Sequence, residues 1–275
     1  MSADDCQSSG DGGRRKDILL LFDVDGTLTP ARQPVEDRMN SYLQNLRSRV
    51  HVGLVGGSDL RKICEQMLPS SLNSNDSDPI QSCVNQFDYL FAENGLVAYK
   101  NGELLAKQSL VDHLGEEKLQ MFINFCLNYM SKLVLPVKRG NFIEFRNGLI
   151  NVCPVGRSCS QSEREQFNAY DKEHKIRSKF IEELEKNFGE NSDNPLGLLF
   201  SIGGQISFDA FPKGWDKTFC LNLVDKTYQK IYFFGDKTNP GGNDYEIFVD
   251  SRTIGRSVKN PNDTLEQLEL LSKEF

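Results

Sequence analysis

Residues 18–29 read Ile-Leu-Leu-Leu-Phe-Asp-Val-Asp-Gly-Thr-Leu-Thr, and the reading of this stretch decides the fold. The apolar run is too short for a helix and suits a strand buried on both faces. It stops at Asp23, and Asp25 follows two residues later, just before Gly26. In an open α/β sheet, ligands bind beyond the carboxyl ends of the strands, which is where both aspartates fall. Two carboxylates there without a nearby histidine suit Mg2+ and phosphate chemistry better than acyl transfer. Asp23, ionised, can attack a phosphoryl group. If the turn at Gly26 folds Asp25 back over the strand end, it can exchange a proton with a hydroxyl. The plainer alternative is that Asp25-Gly26 is only a turn after a strand.

Working outward, the runs 50–55, 88–91 and 231–234 repeat the pattern of a buried strand. Helical segments are expected at 35–47, 59–68, 216–224 and 263–272. Strand followed by helix, repeated, implies a parallel sheet with right-handed crossovers. The middle of the chain breaks that rhythm. Residues 116–133 carry Leu119, Phe122, Ile123, Cys126, Met130 and Leu133 at helical spacing, a stripe expected to pack on its own sheet. Alternating pieces at 141–146, 148–153 and 203–209 read as strands, and 161–188 as charged helix. The expected fold is therefore α/β. A Rossmann-like parallel-sheet core spans 17–106 and 213–275, and an α+β cap is inserted at 107–212. Residues 1–16 are polar and glycine-bearing and read as a disordered tail, and 69–82 as a surface loop.

The net charge of −7 argues against nucleic acid as a partner, since backbone phosphates demand a basic surface. No apolar run is long enough to span a bilayer. Seven cysteines without a CxxC pair point to free thiols in a reducing compartment, and the cytoplasm is the expected location.

Three further motifs carry chemistry. Gly56-Gly57-Ser58-Asp59 ends the second run; its glycines admit an anion, and Ser58 adds a hydroxyl before the next helix. Taken alone, this motif is weak, and Ser58 or Asp59 as an ordinary helix cap is the favoured reading. Gly214-Trp215-Asp216-Lys217 opens a helix, where Lys217 is either a surface lysine or a neutraliser of charge at the nucleophile. The run Phe234 to Asp244, Phe-Gly-Asp-Lys-Thr-Asn-Pro-Gly-Gly-Asn-Asp, again ends a strand in an aspartate and suits oxygen ligation of a cation.

In this order the four pieces resemble the haloacid dehalogenase superfamily. Longer stretches go further: Phe142 to Gly148 (FIEFRNG), Pro154 to Cys159 (PVGRSC), Gly203 to Asp209 (GGQISFD) and Pro240 to Asp244 (PGGND) resemble the eukaryotic phosphomannomutases. That resemblance implies Asp23 as nucleophile and Asp25 as general acid/base. It implies Mg2+ on Asp23, the Asp25 carbonyl and Asp236, and a second cation site at Phe248, Asp250 and Thr253. Arg32 would contact the substrate, Arg146, Arg157 and Arg164 would grip the distal phosphate, and Ser207 and Asp209 would bind sugar hydroxyls. The implied reaction interconverts mannose 6-phosphate and mannose 1-phosphate, is activated by a hexose 1,6-bisphosphate, and feeds GDP-mannose synthesis for glycosylation. The resemblance also implies a homodimer formed through the cap. A capped sugar-phosphate phosphatase would use the same two aspartates, but has no need of arginines for a second phosphate. Without the resemblance, those arginines would read as surface ion pairs.

Overall fold

The computed structural model describes residues 13–68, 78–224 and 226–274. β1 (Arg15–Phe22) is followed by α1 (Asp37–Arg47), β2 (Val50–Val55), α2 (Leu60–Met67), α3 (Pro79–Val84) and β3 (Tyr89–Ala92). A hairpin of β4 (Val97–Lys100) and β5 (Glu103–Lys107) comes next. The inserted part holds α4 (Leu110–Leu114), α5 (Glu116–Lys132), β6 (Ile143–Phe145) and β7 (Ile150–Val152). It continues with α6 (Gln161–His174), α7 (Ile176–Phe188), β8 (Leu198–Gly203) and β9 (Ser207–Pro212). A 3-10 helix (Lys217–Leu223), β10 (Lys230–Gly235), α8 (Tyr245–Val249), β11 (Ile254–Ser257) and α9 (Pro261–Leu271) complete the chain. Two compact units result: Gln108–Trp215, and a core made of the residues before and after it.

The core sheet runs in the order β11-β10-β1-β2-β3-β4-β5, parallel from β11 to β3 and antiparallel beyond. β1 lies inside it because both of its faces are apolar. Ile18, Leu20 and Phe22 enter one buried cluster, and Leu19 and Leu21 the other. From β1 the chain builds outward through β2 and β3 on one side, and through β10 and β11 on the other. The switch point therefore falls between β1 and β10, where an open sheet parts at its carboxyl edge. Phe22 pairs with Phe234 across that boundary, their rings stacked at 5.0 Å. Asp23 N–H donates to the Phe234 carbonyl at 2.9 Å. This register brings the end of β1 alongside the end of β10.

The inserted unit has its own antiparallel sheet, in the order β6-β7-β9-β8. Leu119, Phe122, Cys126 and Met130 of α5 are buried, and Phe122 meets Phe188 and Phe200 with ring centroids 5.7 and 6.3 Å apart. Cross-strand register pairs Glu144 with Asn151, Asn151 with Asp209, and Asp209 with Ser201. These four residues therefore share one face of the sheet.

Several expectations are corrected. Residues 15 and 16 are strand, not tail: Arg15 pairs with Val50, and the Arg14 guanidinium reaches the buried carboxylate of Asp88. Residues 79–82 belong to α3, which Asp78 caps by accepting from Gln81 N–H; the rest of the expected 69–82 loop, 69–77, lies outside the described residues, as do residues 1–12 of the tail. The helix expected at 216–224 is a 3-10 helix. The charged stretch 161–188 is two helices, broken where Lys175 turns left-handed at φ 56°. The piece 203–209 straddles a hairpin, Gly203 closing β8 and Ser207 opening β9. That hairpin is held by Arg177, which is 5% exposed. Its Nε pairs with Asp171 at 2.8 Å, and its Nη1 donates to the carbonyls of Gly204 (3.1 Å) and Ser207 (3.0 Å). Arg177→Ala strands a buried carboxylate and is expected to cost about 3 kcal/mol of stability. Chemical denaturation measures this.

Candidate active site

Asp23 follows β1 directly and is 5% exposed. Lys217, at the first turn of the 3-10 helix, is 1% exposed and spans two carboxylates. Its ammonium donates to an oxygen of Asp23 and, at 2.5 Å, to Oδ1 of Asp244. Asp216 aims that turn by accepting from Thr218 N–H at 2.8 Å. Asp244 Oδ2 accepts from Lys237 N–H at 2.9 Å, so both of its oxygens are engaged. Burial pushes Asp23 from the ordinary 3.8 up to about 6; the Lys217 charge opposes that shift and Asp244 adds to it. For Lys217, burial works against the charge, but Asp23 and Asp244 outweigh it and hold the ammonium above its ordinary value. Asp236, after β10, is raised by burial.

Carboxylate oxygens of Asp23, Asp236 and Asp244 lie within 4.8 Å of one another, the one such group among the described residues. Three carboxylates facing one ammonium leave an excess of negative charge. Asp236 Oδ1 is buried with no hydrogen-bond partner among the described residues, a deficiency that a cation would relieve. Gly26, at φ 85°, makes this approach possible, because a Cβ there would sit 2.6 Å from Asp236 Oδ2. All-oxygen donors and surplus negative charge fit a hard divalent cation such as Mg2+.

Asp25 does not contribute its carboxylate to that group. Its Oδ1 accepts from the backbone N–H of Arg32 and from Gln66 Nε2, both at 2.7 Å. The Arg32 side chain is exposed, and its backbone takes a left-handed φ of 61°. Ser58 is half-buried at the end of β2, while Asp59, not Ser58, caps α2 by accepting from Lys62 N–H at 3.0 Å. At the expected second cation site, Arg252 engages both oxygens of Asp250, at 2.9 and 2.8 Å, and holds its carboxyl below the ordinary value. Thr253 donates its hydroxyl to the Ile247 carbonyl at 2.6 Å, and Phe248 N–H bonds within α8 to the Asp244 carbonyl. The Asp250 carboxylate is thus already countered by a guanidinium.

The inserted unit gathers a second cluster. Glu144 Oε2 accepts from Arg146 Nη2 at 2.9 Å and meets Arg157 Nε at 2.8 Å. Arg157 Nη1 donates to Asn151 Oδ1 at 2.8 Å. Asn151 Nδ2 in turn donates to Ser207 Oγ at 3.0 Å and Asp209 Oδ1 at 2.6 Å. Arg164, in the first turn of α6, donates to the Arg157 carbonyl at 3.0 Å. Before Arg157 the chain turns at Gly156, φ 89°, where a Cβ would lie 2.5 Å from the Arg139 carbonyl. Four of the five residues expected to bind substrate in this unit are thus joined through Glu144 and Asn151, and Arg164 is tied to the cluster by the Arg157 carbonyl.

The family profile described as eukaryotic phosphomannomutase matches residues 39–273. The chain belongs to that family. Mouse phosphomannomutase 1 is 54% identical over 94% of this chain and 93% of its own length. The Schizosaccharomyces pombe phosphomannomutase is 56% identical over 91% and 92%. Among solved structures, the C-terminal domain of C. albicans trehalose-6-phosphate phosphatase superposes with a TM-score of 0.55 at 18% identity, covering 94% of this chain and 92% of that one. A haloacid dehalogenase-like hydrolase from Bacteroides thetaiotaomicron gives 0.50 at 12% identity, covering 94% and 99%. At such identities these two establish the haloacid dehalogenase fold and nothing finer. Phosphomannomutases are enzymes, isomerases that move a phosphoryl group within a sugar phosphate.

Besides Gln66, three residues escape the sequence reading of this phosphomannomutase family member. Asp244 closes the PGGND run, but nothing in the run distinguishes it from a loop aspartate; only burial against Lys217 does. Glu144 lies between two apolar residues of a short strand and looks like its solvent side. Asn151 carried a usable signal: it is the one polar residue in Leu149-Ile150-Asn151-Val152-Cys153, a strand too buried to tolerate an idle amide.

Proposed function

We propose that this chain interconverts mannose 6-phosphate and mannose 1-phosphate through an aspartyl-phosphate on Asp23 and a hexose 1,6-bisphosphate. A bisphosphate activator first leaves a phosphoryl group on Asp23. The C1 hydroxyl oxygen of mannose 6-phosphate then attacks that phosphorus as its bond to the Asp23 oxygen breaks, and Asp25 takes the hydroxyl proton. After the bisphosphate reorients, Asp23 attacks the other phosphorus and Asp25 returns the proton to the departing O6. Lys217 stays charged beside Asp23 throughout and compensates the developing negative charge. Ser58 is assigned to the oxygens of the transferring group, and Arg32 to the substrate. Mg2+, held by Asp23, Asp236 and the Asp25 carbonyl, would supply the charge that lets two anions approach. Asp244 keeps Lys217 in place.

The observation that supports this reading is that one chain holds two separate polar centres, the carboxylates around Lys217 and the arginine cluster joined to Glu144 and Asn151. A hydrolase needs only the one at Asp23. Arg146, Arg157 and Arg164 are assigned to the phosphate that is not reacting, and Ser207 and Asp209 to sugar hydroxyls, because a guanidinium fork matches phosphate bidentately. The decisive experiment is incubation with mannose 1-phosphate, Mg2+ and glucose 1,6-bisphosphate. Mannose 6-phosphate is the expected product; inorganic phosphate as the main product would make the enzyme a phosphatase. Arg157→Ala is expected to raise KM for mannose 1-phosphate by about tenfold to a hundredfold, the scale of one charged hydrogen bond. It should also increase the share of phosphate released. An unchanged KM would return Arg157 to a surface ion pair with Glu144.

We further assign a homodimer formed through the inserted unit, which exposes Met121, Leu127 and Val134 on or just after α5. Light scattering tests it. A reducing compartment such as the cytosol suits the six described cysteines, all free and buried, and no helix among the described residues is long and apolar enough to cross a membrane.

A further inference from the structure

The geometry points to Gln66 as the positioning residue of the proton carrier: its amide, with the Arg32 backbone N–H, holds Oδ1 of Asp25 and leaves Oδ2 as the oxygen that carries the proton. The inference rests on the mutase reading only in taking Asp25 as the general acid/base.

Gln66 stands in the last turn of α2 and is half-buried. Its backbone and its side chain both serve the segment after β1. The Gln66 carbonyl accepts from Val35 N–H at 2.7 Å, tying α2 to that segment. From the same residue Nε2 reaches Asp25 Oδ1 at 2.7 Å. The second donor comes from Arg32, whose left-handed φ of 61° turns its N–H toward the same oxygen, also at 2.7 Å. Non-glycine residues in that region are uncommon, so the segment accepts a conformational cost where it delivers this donor. Two donors on Oδ1 fill its lone pairs, and no described residue bonds to Oδ2.

The chemical consequence concerns which atom handles the proton. When a sugar phosphate is cleaved, the P–O bond to the sugar breaks, a bond from phosphorus to Asp23 forms, and the departing sugar oxygen must receive a proton. With Oδ1 saturated by donors, the proton sits on Oδ2 and its direction is set by Gln66 and Arg32. In the opposite half-reaction Oδ2 accepts the proton of the attacking hydroxyl. A carboxyl free to rotate would divide the proton between two oxygens and two directions. Productive geometry requires a donor–acceptor distance near 3 Å in one direction.

A leaving group that needs no proton separates this role from a merely structural one. Departing 4-nitrophenolate is a stable anion, so its release in the first turnover, as the phosphoryl group passes from 4-nitrophenyl phosphate to Asp23, depends on Asp23 but not on Asp25. Gln66→Met keeps the volume and removes the donor. Its turnover of mannose 1-phosphate, with Mg2+ and glucose 1,6-bisphosphate, is expected to fall about tenfold to a hundredfold with KM little changed. The initial burst of 4-nitrophenolate, measured before the Asp23-phosphate is hydrolysed, should stay near wild type. The ratio of the two rates, measured on one sample, does not depend on the fraction folded. Gln66→Glu sets a second carboxylate against Oδ1 and should lower the ratio at least as far. An unchanged ratio in either variant, whether both rates fall together or neither falls, overturns the proposal. A wild-type enzyme that releases 4-nitrophenolate but does not isomerise mannose phosphates would instead overturn the mutase reading.

Discussion

Asp23→Asn is expected to lower turnover of mannose phosphates by about 10⁴-fold or more, the scale on which a lost covalent nucleophile acts. The substituted amide has the shape of the carboxylate, so packing at the end of β1 is unchanged. It is a far weaker nucleophile toward phosphorus. Lys217 keeps its contact with Asp244, which preserves one of the two ion pairs in the buried centre. Stability should shift in a defined way with pH. Burial raises Asp23 from 3.8 to about 6. A carboxyl raised on folding contributes stability that is complete below its unfolded value and is lost as pH rises through its folded value. Metal-free wild type should therefore lose stability between about pH 4 and 6 from this group, and Asp23→Asn should lose less over the same interval. Two measurements check this: radiolabel transfer from a bisphosphate to the protein, and thermal melts with chelator present. Labelling of the variant near the wild-type level, or turnover within about tenfold of wild type, would remove Asp23 from the nucleophile's role.

The parts of this molecule that were legible beforehand are those whose physics is local. β1 announces itself because a strand buried on both faces must be apolar throughout, and its end is marked by the first charge, Asp23. Asp236 was found in the same way, at the end of β10. The β4–β5 hairpin was not expected, although Asn101-Gly102, where φ is 51° and 83° in the structure, is the kind of pair that gives the strongest short hairpin signature. The resemblance-derived residues of the inserted unit come together, but their sequence spacing alone would not have joined them. Arg146 and Asp209 are linked through Glu144, Arg157 and Asn151, partners set by the register of three short strands. Register is a tertiary property: slipping one strand by a single residue would put Asn151 on the other face. Asp244 and Gln66 were invisible for a related reason. Each lies in an element whose local pattern is unremarkable, and each acquires its role by reaching another segment.

Asp236→Asn is expected to reverse the usual relation between a mutation and stability. Asp236 Oδ1 is buried without a hydrogen-bond partner among the described residues, beside Asp23 and Asp244. In the metal-free protein that charge is a liability, and burial raises its proton affinity accordingly. Neutralising it should raise the melting temperature of the chelated protein at pH 7. By the same linkage as for Asp23, the advantage should vanish as pH falls toward the unfolded carboxylate range, where wild type is protonated too. With Mg2+ the order should invert. At a hundred times Kd, wild type gains about 2.7 kcal/mol from a ligand that binds only the native state, and Asp236→Asn gains almost none. The wild-type gain should itself grow from pH 5 to pH 7, because the cation competes with the proton on Asp23, which leaves near 6. Turnover of the variant should fall by about 10²–10⁴-fold, the several kcal/mol that a bridging cation supplies to phosphoryl transfer. Melts of both proteins, with chelator and with Mg2+ at pH 5 and pH 7, decide it. An Mg2+ shift of equal size in Asp236→Asn and wild type would place the cation elsewhere, and the unpartnered oxygen of Asp236 would then need another explanation.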